Sequence, residues 1–268
     1  MKILFTFTCL FVRYALIAQQ LIHIENYVAN GSIQAWNLDG QQNLLVATEN
    51  TVFKKGIFID RKFTQTFKGL GSIQSIQPVN AMKILLFSEL QQSISVVDNT
   101  LTQQGAFIDL NELEFSNVHA ICSSNRPNLI WIFDQFRSSL QLFDFNQMKA
   151  LQIIQNVEKK GVSFVSMKEY HDHLYVLFSD GSMQRYDFLL NYTGSYQLDH
   201  CQQFDFWKDQ LVWLGENTSL LHFTPINERS SERIADWQLE SPTTSFHLQG
   251  EILGIQNGTT ISLFSIKY

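Results

Sequence analysis

The sequence is poor in charged residues, and basic residues are the scarcer kind. Only 16% of its 268 residues are charged, and 19 Lys and Arg stand against 25 Asp and Glu, so the formal net charge is −6. Binding to DNA or RNA depends on clustered Lys and Arg that displace counterions from the phosphates. This balance argues against nucleic acid as a partner.

Local motifs of catalysis are missing as well. The sequence has no Gly-x-Ser-x-Gly setting for a nucleophilic serine and no glycine-rich loop that would hold a phosphate. His171 and His173 would project to the same side of a strand, as metal ligands can, but a metal site needs three or four ligands and no companion cluster is visible. We therefore interpret both histidines as part of a polar loop and predict no cofactor.

Apolar stretches that resemble targeting or membrane segments occur only at the N-terminus. Residues 1–18 have the features of a signal peptide: Lys2 supplies a positive start, residues 3–12 are mostly apolar, and Ala18 precedes a possible cleavage site. The stretch is too short to span a bilayer. Arg13 is unusual at its position and leaves an uncleaved N-terminal segment as the alternative. We predict an exported protein, periplasmic, cell-surface or extracellular, whose mature chain (19–268) has no transmembrane span.

Apolar and aromatic residues are abundant, and they are arranged in repeats. Hydrophobic residues make up 45% of the chain and include 22 Phe, which argues against disorder. Gly-Ser-Ile-Gln occurs at 31–34 and again at 71–74, and the spacing, 71 − 31 = 40, is the length of one four-stranded propeller blade. The repeat therefore predicts a modular all-β fold.

Six apolar runs support this interpretation. Several are nearly continuous, as expected of strands that are covered on both faces. Two are followed by strong hairpin signals, Asp180-Gly181 and Asn257-Gly258. The runs are 43–48, 83–88, 129–134, 173–179, 211–215 and 251–256.

Four of the units share an ending in which a hydrophobic residue precedes an aspartate. Such a carboxylate can accept hydrogen bonds from nearby backbone N–H groups in an Asx-turn. This ending resembles the Trp-Asp ending of WD-repeat propellers, although the Gly-His pair of that family is missing and units five and six lack the aspartate. The resemblance implies the β-propeller superfamily, with WD-repeat-like or quinoprotein-like blades, and no closer subfamily. The aspartates are Asp60, Asp98, Asp144 and Asp187.

The two ends of the chain indicate how the ring closes. Three strands are expected in 243–266, one fewer than a blade needs, and an additional strand at 21–28 precedes the first repeat. That strand would complete the last blade and remove an exposed edge. We therefore predict a six-bladed propeller of four-stranded antiparallel blades as a single domain. A β-sandwich is the alternative, but it would need neither six similar units nor an unpaired strand at each end.

The cysteines are interpreted from this repeat map. Cys9 belongs to the predicted signal peptide, while Cys122 and Cys201 fall on inner strands separated by a whole blade. The Cα atoms of a disulfide lie within about 7 Å of each other. We therefore predict free, buried thiols and no disulfide between Cys122 and Cys201.

Function in a propeller usually resides around the central channel, which the innermost strands line. Asp205 is the only carboxylate in the inner-strand segments, predicted to begin at residues 32, 72, 118, 162, 202 and 243. Glycosidic cleavage normally needs a facing pair of carboxyl groups. We therefore predict no catalytic residues and favour a non-catalytic scaffold that binds a protein partner in a secreted or cell-envelope assembly.

The alternative function is a propeller that binds a carbohydrate or another small ligand. Amide groups and aromatic rings suit sugar hydroxyls and pyranose faces, and the candidate contacts are Trp36, Trp207, Gln34 and Gln74. Trp207 and Trp237 lie near blade edges, where each is either an exposed anchor or, as we prefer, a packing residue. A glycan-active enzyme would have to supply its acidic groups from loops.

Overall fold

The computed structural model describes residues 20–158, 160–226 and 235–267, so the predicted signal peptide lies outside the described residues. Within these ranges the chain forms 24 strands in six four-stranded antiparallel sheets. In the same part of the chain, no helix has the length and apolar character needed to cross a membrane.

The sheets follow the order of the chain. Strand β1 (Gln20–Val28) comes first. Blade one contains β2 (Ala35–Leu38), β3 (Asn43–Thr48), β4 (Thr51–Gly56) and β5 (Lys62–Thr66). Blade two contains β6 (Ser75–Asn80), β7 (Lys83–Ser88), β8 (Ser93–Asp98) and β9 (Ile108–Asp109). Blade three contains β10 (Val118–Ser123), β11 (Leu129–Asp134), β12 (Ser139–Asp144) and β13 (Lys149–Ile154).

The remaining blades repeat this arrangement. Blade four contains β14 (Phe164–Tyr170), β15 (His173–Phe178), β16 (Ser182–Asp187) and β17 (Tyr192–Gln197). Blade five contains β18 (Gln203–Trp207), β19 (Gln210–Leu214), β20 (Leu220–Pro225) and β21 (Ala235–Gln238). Blade six contains β22 (Ser245–Gln249), β23 (Ile252–Asn257) and β24 (Thr260–Lys267), and its outer strand is β1.

The first strands of the blades form a ring around a central channel. Strand β2 contacts β6, β6 contacts β10, and the series continues through β14, β18 and β22 back to β2. The predicted six-bladed propeller is confirmed. In each blade, the turn that joins the first strand to the second and the turn that joins the third to the fourth lie on the same face of the ring. We call this the lower face. The turns between second and third strands lie on the opposite, upper face.

The ring closes through β1, as predicted. Strand β1 pairs antiparallel with β24 from Gln20 opposite Lys267 to Val28 opposite Thr260. It also contacts blade one, because Lys55 pairs with Glu25 and the ring of Tyr27 stacks on Phe53 at 5.1 Å. The first strand therefore joins blade six to blade one, and a sandwich is excluded.

The core consists of six apolar layers, each between two adjacent blades. The middle strands supply both faces of these layers, which explains their continuous apolar sequences. In blade three, for example, Ile130 and Ile132 pack towards blade two while Trp131 and Phe133 pack towards blade four. Fully burying one such side chain stabilises the fold by about 1.5–3 kcal/mol.

Three of the four predicted Asx-turns are present. The carboxylate of Asp98 accepts hydrogen bonds from the N–H groups of Thr100 and Thr102, and Asp144 and Asp187 make equivalent bonds. The prediction for Asp60 is wrong. Its side chain is 89% exposed and pairs with Lys62, since a backbone hydrogen bond from Arg61 to Ile59 makes the turn there (2.7 Å).

Candidate functional site

Polar side chains of the inner strands connect neighbouring blades around the channel. The Asn37 amide donates to the carbonyl oxygen of Ile76 in blade two (2.9 Å). The Gln203 amide donates to the Phe246 carbonyl oxygen (2.6 Å) and accepts from the Phe246 N–H (3.0 Å). Each pair satisfies backbone groups that have no neighbouring strand in their own sheet. These polar groups therefore hold the ring together.

A cavity of about 370 Å³ opens beside the inner strands of blades one, two and six. Among the described residues that line it, His247 is the only one with an acidic or basic side chain. An uncharged lining of amides, hydroxyls and one indole suits a neutral ligand that forms hydrogen bonds. The lining residues are Gln34, Ala35, Trp36, Asn37, Gln74, Ser75, Ile76, Gln77, Thr244, Ser245, His247 and Gln256.

The Trp36 indole is held rigidly at this cavity. Its Nε1 donates to the Ser245 hydroxyl (2.7 Å), which in turn donates to the Gln256 amide oxygen (2.8 Å). The indole meets the His247 ring edge-on at 4.6 Å. It also fits closely against Gly254, where a Cβ would lie 2.6 Å from the indole edge. Glycine at this position in β23 therefore leaves the space that the indole occupies.

The structure brings three of the four predicted contacts together. Gln34 and Gln74 line the same cavity as Trp36, and the Gln74 amide oxygen is fixed by the N–H of Glu89 (2.8 Å). Trp207 lies elsewhere: it is 3% exposed and belongs to the apolar layer between blades five and six. Its ring packs 5.6 Å from that of Trp237. A ligand-binding role for the cavity residues stays a prediction.

Asp205 lies at the centre of a charged network that spans three blades. Its carboxylate pairs with the Lys168 ammonium of blade four, lies 3.7 Å from His247 of blade six, and accepts the N–H of Leu248 (2.9 Å). Burial acts to raise its pKa, but the charges of Lys168 and His247 outweigh that effect and hold the pKa at about 2. Asp205 is therefore ionised and fully engaged, which does not suit a general acid.

Strand β14 is longer than the sequence indicates, and it adds a second inner-strand carboxylate. The predicted segment ended at Met167, whereas β14 continues through Lys168 and Glu169 to Tyr170. The Glu169 carboxylate accepts hydrogen bonds from the Trp131 indole and from the Asn125 N–H (3.0 Å). The prediction of Asp205 as the sole inner carboxylate is thus wrong, but Glu169 is 8% exposed and serves the contact between blades three and four.

His171 lies in the turn between β14 and β15, and His173 is the first residue of β15. His171 and Asp172 both have positive φ, 45° and 59°, the combination found in a two-residue hairpin of type I′. The His173 ring bonds to the His171 carbonyl oxygen (2.9 Å). No group of three or more potential metal ligands occurs within the described ranges.

Cys122 and Cys201 are buried thiols in different apolar layers. Cys122 lies in β10 of blade three, and Cys201 lies just before β18 of blade five. Burial raises the pKa of each thiol to about 12, so both are unreactive at neutral pH.

A second cavity, of about 530 Å³, was not anticipated from the sequence. It lies between blades four and five and is lined by Trp213, His222, His200, Asp199 and Glu216, among others. Trp213 lies in the middle strand β19. Its Nε1 donates to the Thr224 hydroxyl (3.2 Å), and its ring packs 4.2 Å from that of His222. The apolar sequence around Trp213 gave no signal for this cavity, because the polar residues come from neighbouring turns.

Solved structures share this architecture, and they show that the chain has a β-propeller fold similar to that of WD40 domains. The WD40 domain of Neurospora crassa Pan2 matches with a TM-score of 0.62 at 9% identity, over 88% of this chain and 79% of that domain. The RRP9 WD40 repeats match with a TM-score of 0.63 at 9% identity, over 92% of this chain and 100% of theirs.

A chain of the mitotic checkpoint complex is similar to the same degree. Its TM-score is 0.65 at 10% identity, over 92% of this chain and 95% of that one. At such identities the likeness concerns the fold alone. Neither a family model nor a curated protein matches the sequence.

Proposed function

We propose that the chain is a non-catalytic protein-interaction scaffold that acts outside the cytoplasm, as a subunit of a secreted or cell-envelope assembly. The observation that carries this proposal is a pair of apolar side chains on the upper face. Leu90 and Phe136 occupy equivalent turns of adjacent blades and are 76% and 82% exposed. Large apolar groups held exposed on a rigid frame are typical of surfaces that bind other proteins.

The inner strands support a non-catalytic role. Their two carboxylates, Asp205 and Glu169, are engaged by Lys168, Trp131 and backbone N–H groups, so neither is placed to transfer a proton to a substrate. One of the similar structures is itself part of an assembly, the mitotic checkpoint complex.

Capture of the tagged native chain under gentle conditions tests the scaffold. We expect a partner protein to co-purify with the chain in a constant ratio. Replacement of both Leu90 and Phe136 by Ser should abolish this co-purification. The matched control replaces Phe58 and Ile59, which are 59% and 63% exposed on the lower face, and should retain the partner. Recovery of a lone monomer under every condition would overturn the proposal.

Export rests on residues 1–18, with Lys2 before an apolar stretch. N-terminal sequencing of the native protein, combined with cell fractionation, tests it. We expect an extracytoplasmic protein that begins at Gln19. A cytoplasmic chain that retains Lys2 would contradict this part of the proposal.

The second candidate function is binding of a neutral small ligand, and it is favoured by the meeting of Trp36, Gln34 and Gln74 at one cavity. Thermal-shift screens with common sugars test it. A stabilising sugar should lose its effect on replacement of the exposed Gln34 by Ala, while Gln65→Ala on the outer strand β5 serves as the control. Absence of any stabilising sugar would eliminate a carbohydrate as the ligand.

A further inference from the structure

The lower face of blades three and four carries an arginine that is held between two aromatic rings. Arg126 lies in the turn between β10 and β11. Its guanidinium carbon is 5.7 Å from the ring centroid of Trp131 in its own blade and 5.5 Å from that of Phe188 in blade four. Stacking on aromatic faces leaves the N–H groups in the guanidinium plane available for hydrogen bonds.

The turn that carries Arg126 is fixed at several points. The N–H of Asn125 donates to Glu169 (3.0 Å), and the N–H of Arg126 donates to the Ser124 hydroxyl (3.3 Å). The Asn128 amide oxygen accepts from the Lys83 ammonium (3.1 Å). A group that is already ordered loses little conformational entropy when a ligand binds.

The guanidinium of Arg126 has no acceptor among the described residues. No carboxylate of 20–158, 160–226 or 235–267 lies within 4.0 Å of it or of Lys83, whereas Lys54, Lys55 and Lys168 each pair with one. The Nη2 atom of Arg126 is shielded from solvent and has no hydrogen-bond partner in those ranges. This surface therefore presents two cations that have no carboxylate partner in the described ranges, in a protein of net negative charge.

Apolar side chains flank the arginine. Phe188, which contacts the guanidinium, is 49% exposed, and the next residue, Leu189, is 53% exposed. Both lie in the turn between β16 and β17, which the Asp187 carboxylate orders through the N–H groups of Leu189 and Asn191. A ligand for this surface needs an anionic group beside an apolar group.

We propose that Arg126, Lys83, Phe188 and Leu189, here called the Arg126 surface, bind a carboxylate next to an apolar side chain in an extended segment of a partner protein. This inference rests on the proposed scaffold function and assigns it a second contact, on the face opposite Leu90 and Phe136. The carboxylate accepts charge-assisted hydrogen bonds from the guanidinium N–H groups that remain accessible, since Arg126 as a whole is only partly buried. The apolar side chain packs on Phe188 and Leu189.

Selection of random peptides displayed against the whole chain tests the Arg126 surface. One library has free peptide C-termini and the other has blocked C-termini, so that the two sources of a carboxylate are distinguished. We expect selected peptides to carry Asp, Glu or a free C-terminus beside Leu, Phe or Met. Arg126→Gln should lower the affinity of the chain for these peptides by about ten- to one-hundredfold, which is the effect of losing hydrogen bonds to a charged group.

Two controls make the result decisive. Arg137→Gln removes an exposed arginine from the upper face of the same blade and should leave peptide affinity unchanged. Arg126→Lys keeps the charge but loses the planar fork, and should give an intermediate affinity. Selected peptides without a carboxylate, or equal affinity for the wild-type and Arg126→Gln chains, would overturn the inference.

The experiments distinguish a failure of the Arg126 surface from a failure of the proposed scaffold function. If the native partner is captured by the wild type and by the Arg126→Gln variant alike, and peptide selection also fails, the Arg126 surface is wrong and the scaffold stands. If no partner is captured by any variant while the selected peptides still depend on Arg126, the scaffold fails and the surface stands.

Discussion

At the scale of the residue, Asp205 links stability to pH. Its pKa in the folded chain is about 2, below the ordinary value of 3.8, because Lys168 and His247 favour the ionised form more than burial opposes it. A carboxylate whose pKa is lowered by folding stabilises the fold above its unfolded pKa and loses that contribution as the pH falls through the folded pKa. The stabilisation is thus complete above about pH 4 and is lost towards pH 2.

We expect Asp205→Asn to lower the free energy of unfolding at neutral pH by about 2 kcal/mol, and to lack this part of the acid dependence. Urea unfolding of both chains across the acid range measures the effect. The exposed Asp209, changed to Asn in the same way, should behave as wild type. Parallel pH curves for the wild type and Asp205→Asn would contradict the assigned role.

The two buried cysteines predict a definite thiol count. Because burial raises both pKa values to about 12, a thiol reagent at neutral pH should react with the native chain only as fast as the chain opens. In denaturant without reductant, the cleaved chain should show the thiols of Cys122 and Cys201. A count of none would reveal a disulfide, and a third thiol would show that Cys9 is retained.

At the scale of the element, the Asp180-Gly181 turn differs from the Asn257-Gly258 turn in a way that substitution can measure. Both glycines have positive φ, +77° and +59°. A Cβ at Gly181 would lie 2.1 Å from the Leu198 carbonyl oxygen, whereas a Cβ at Gly258 meets nothing within 4 Å. The loss of stability in Gly258→Ala therefore measures the cost of the positive φ alone, whereas Gly181→Ala adds the cost of a steric clash.

We expect Gly258→Ala to destabilise the chain by about 1 kcal/mol and Gly181→Ala by about 3 kcal/mol. Chemical denaturation of the two variants beside the wild type gives both values. Equal losses would mean that the backbone of residue 198 moves away at little cost.

The middle strands were predictable from the sequence, and the inner and outer strands less so. Strands β3, β7 and β11 have the predicted bounds, because side chains buried on both faces leave an uninterrupted apolar run. The predicted end of strand β14 came too early, because the charged residues Lys168 and Glu169 are typical of loops. In the fold their charged groups bond to Asp205 and to the Trp131 indole. Those partners lie more than thirty residues away along the chain.

The candidate site was predictable only where its residues lie at repeated positions. Gln34 and Gln74 end the two copies of the Gly-Ser-Ile-Gln repeat, so the fold places them in equivalent positions of adjacent blades. Arg126 gave no signal, because its ring partner Phe188 follows 188 − 126 = 62 residues later. Contacts of this kind depend on how adjacent blades pack in the propeller, and not on the local sequence pattern.

At the scale of the whole molecule, the closing strand predicts the effect of truncation. Removal of residues 1–28 takes away β1, including the Tyr27 stack on Phe53 and the Glu25 pair with Lys55, and leaves β24 with a free edge. We expect this chain to melt at a lower temperature and to self-associate, because exposed strand edges template pairing. Size-exclusion chromatography and calorimetry measure both.

The control chain begins at Gln19 and keeps β1. It should remain monomeric, with the melting temperature of the mature protein. A monomeric, equally stable chain without residues 1–28 would contradict a closing role for β1.

The pairing of β1 with β24 also sets an order of events during biosynthesis. Of the described strands, β1 is the first to leave the ribosome and it pairs with the last, β24; the partners Gln20 and Lys267 are 267 − 20 = 247 positions apart. While the nascent chain grows, blades one to five have all four of their strands in sequence, but the ring itself stays open until β24 has been made. If the chain is exported as proposed, a chain that enters a translocase before β24 has been made still has β1 unpaired, and blade six can be completed only on the side of the membrane that β24 reaches.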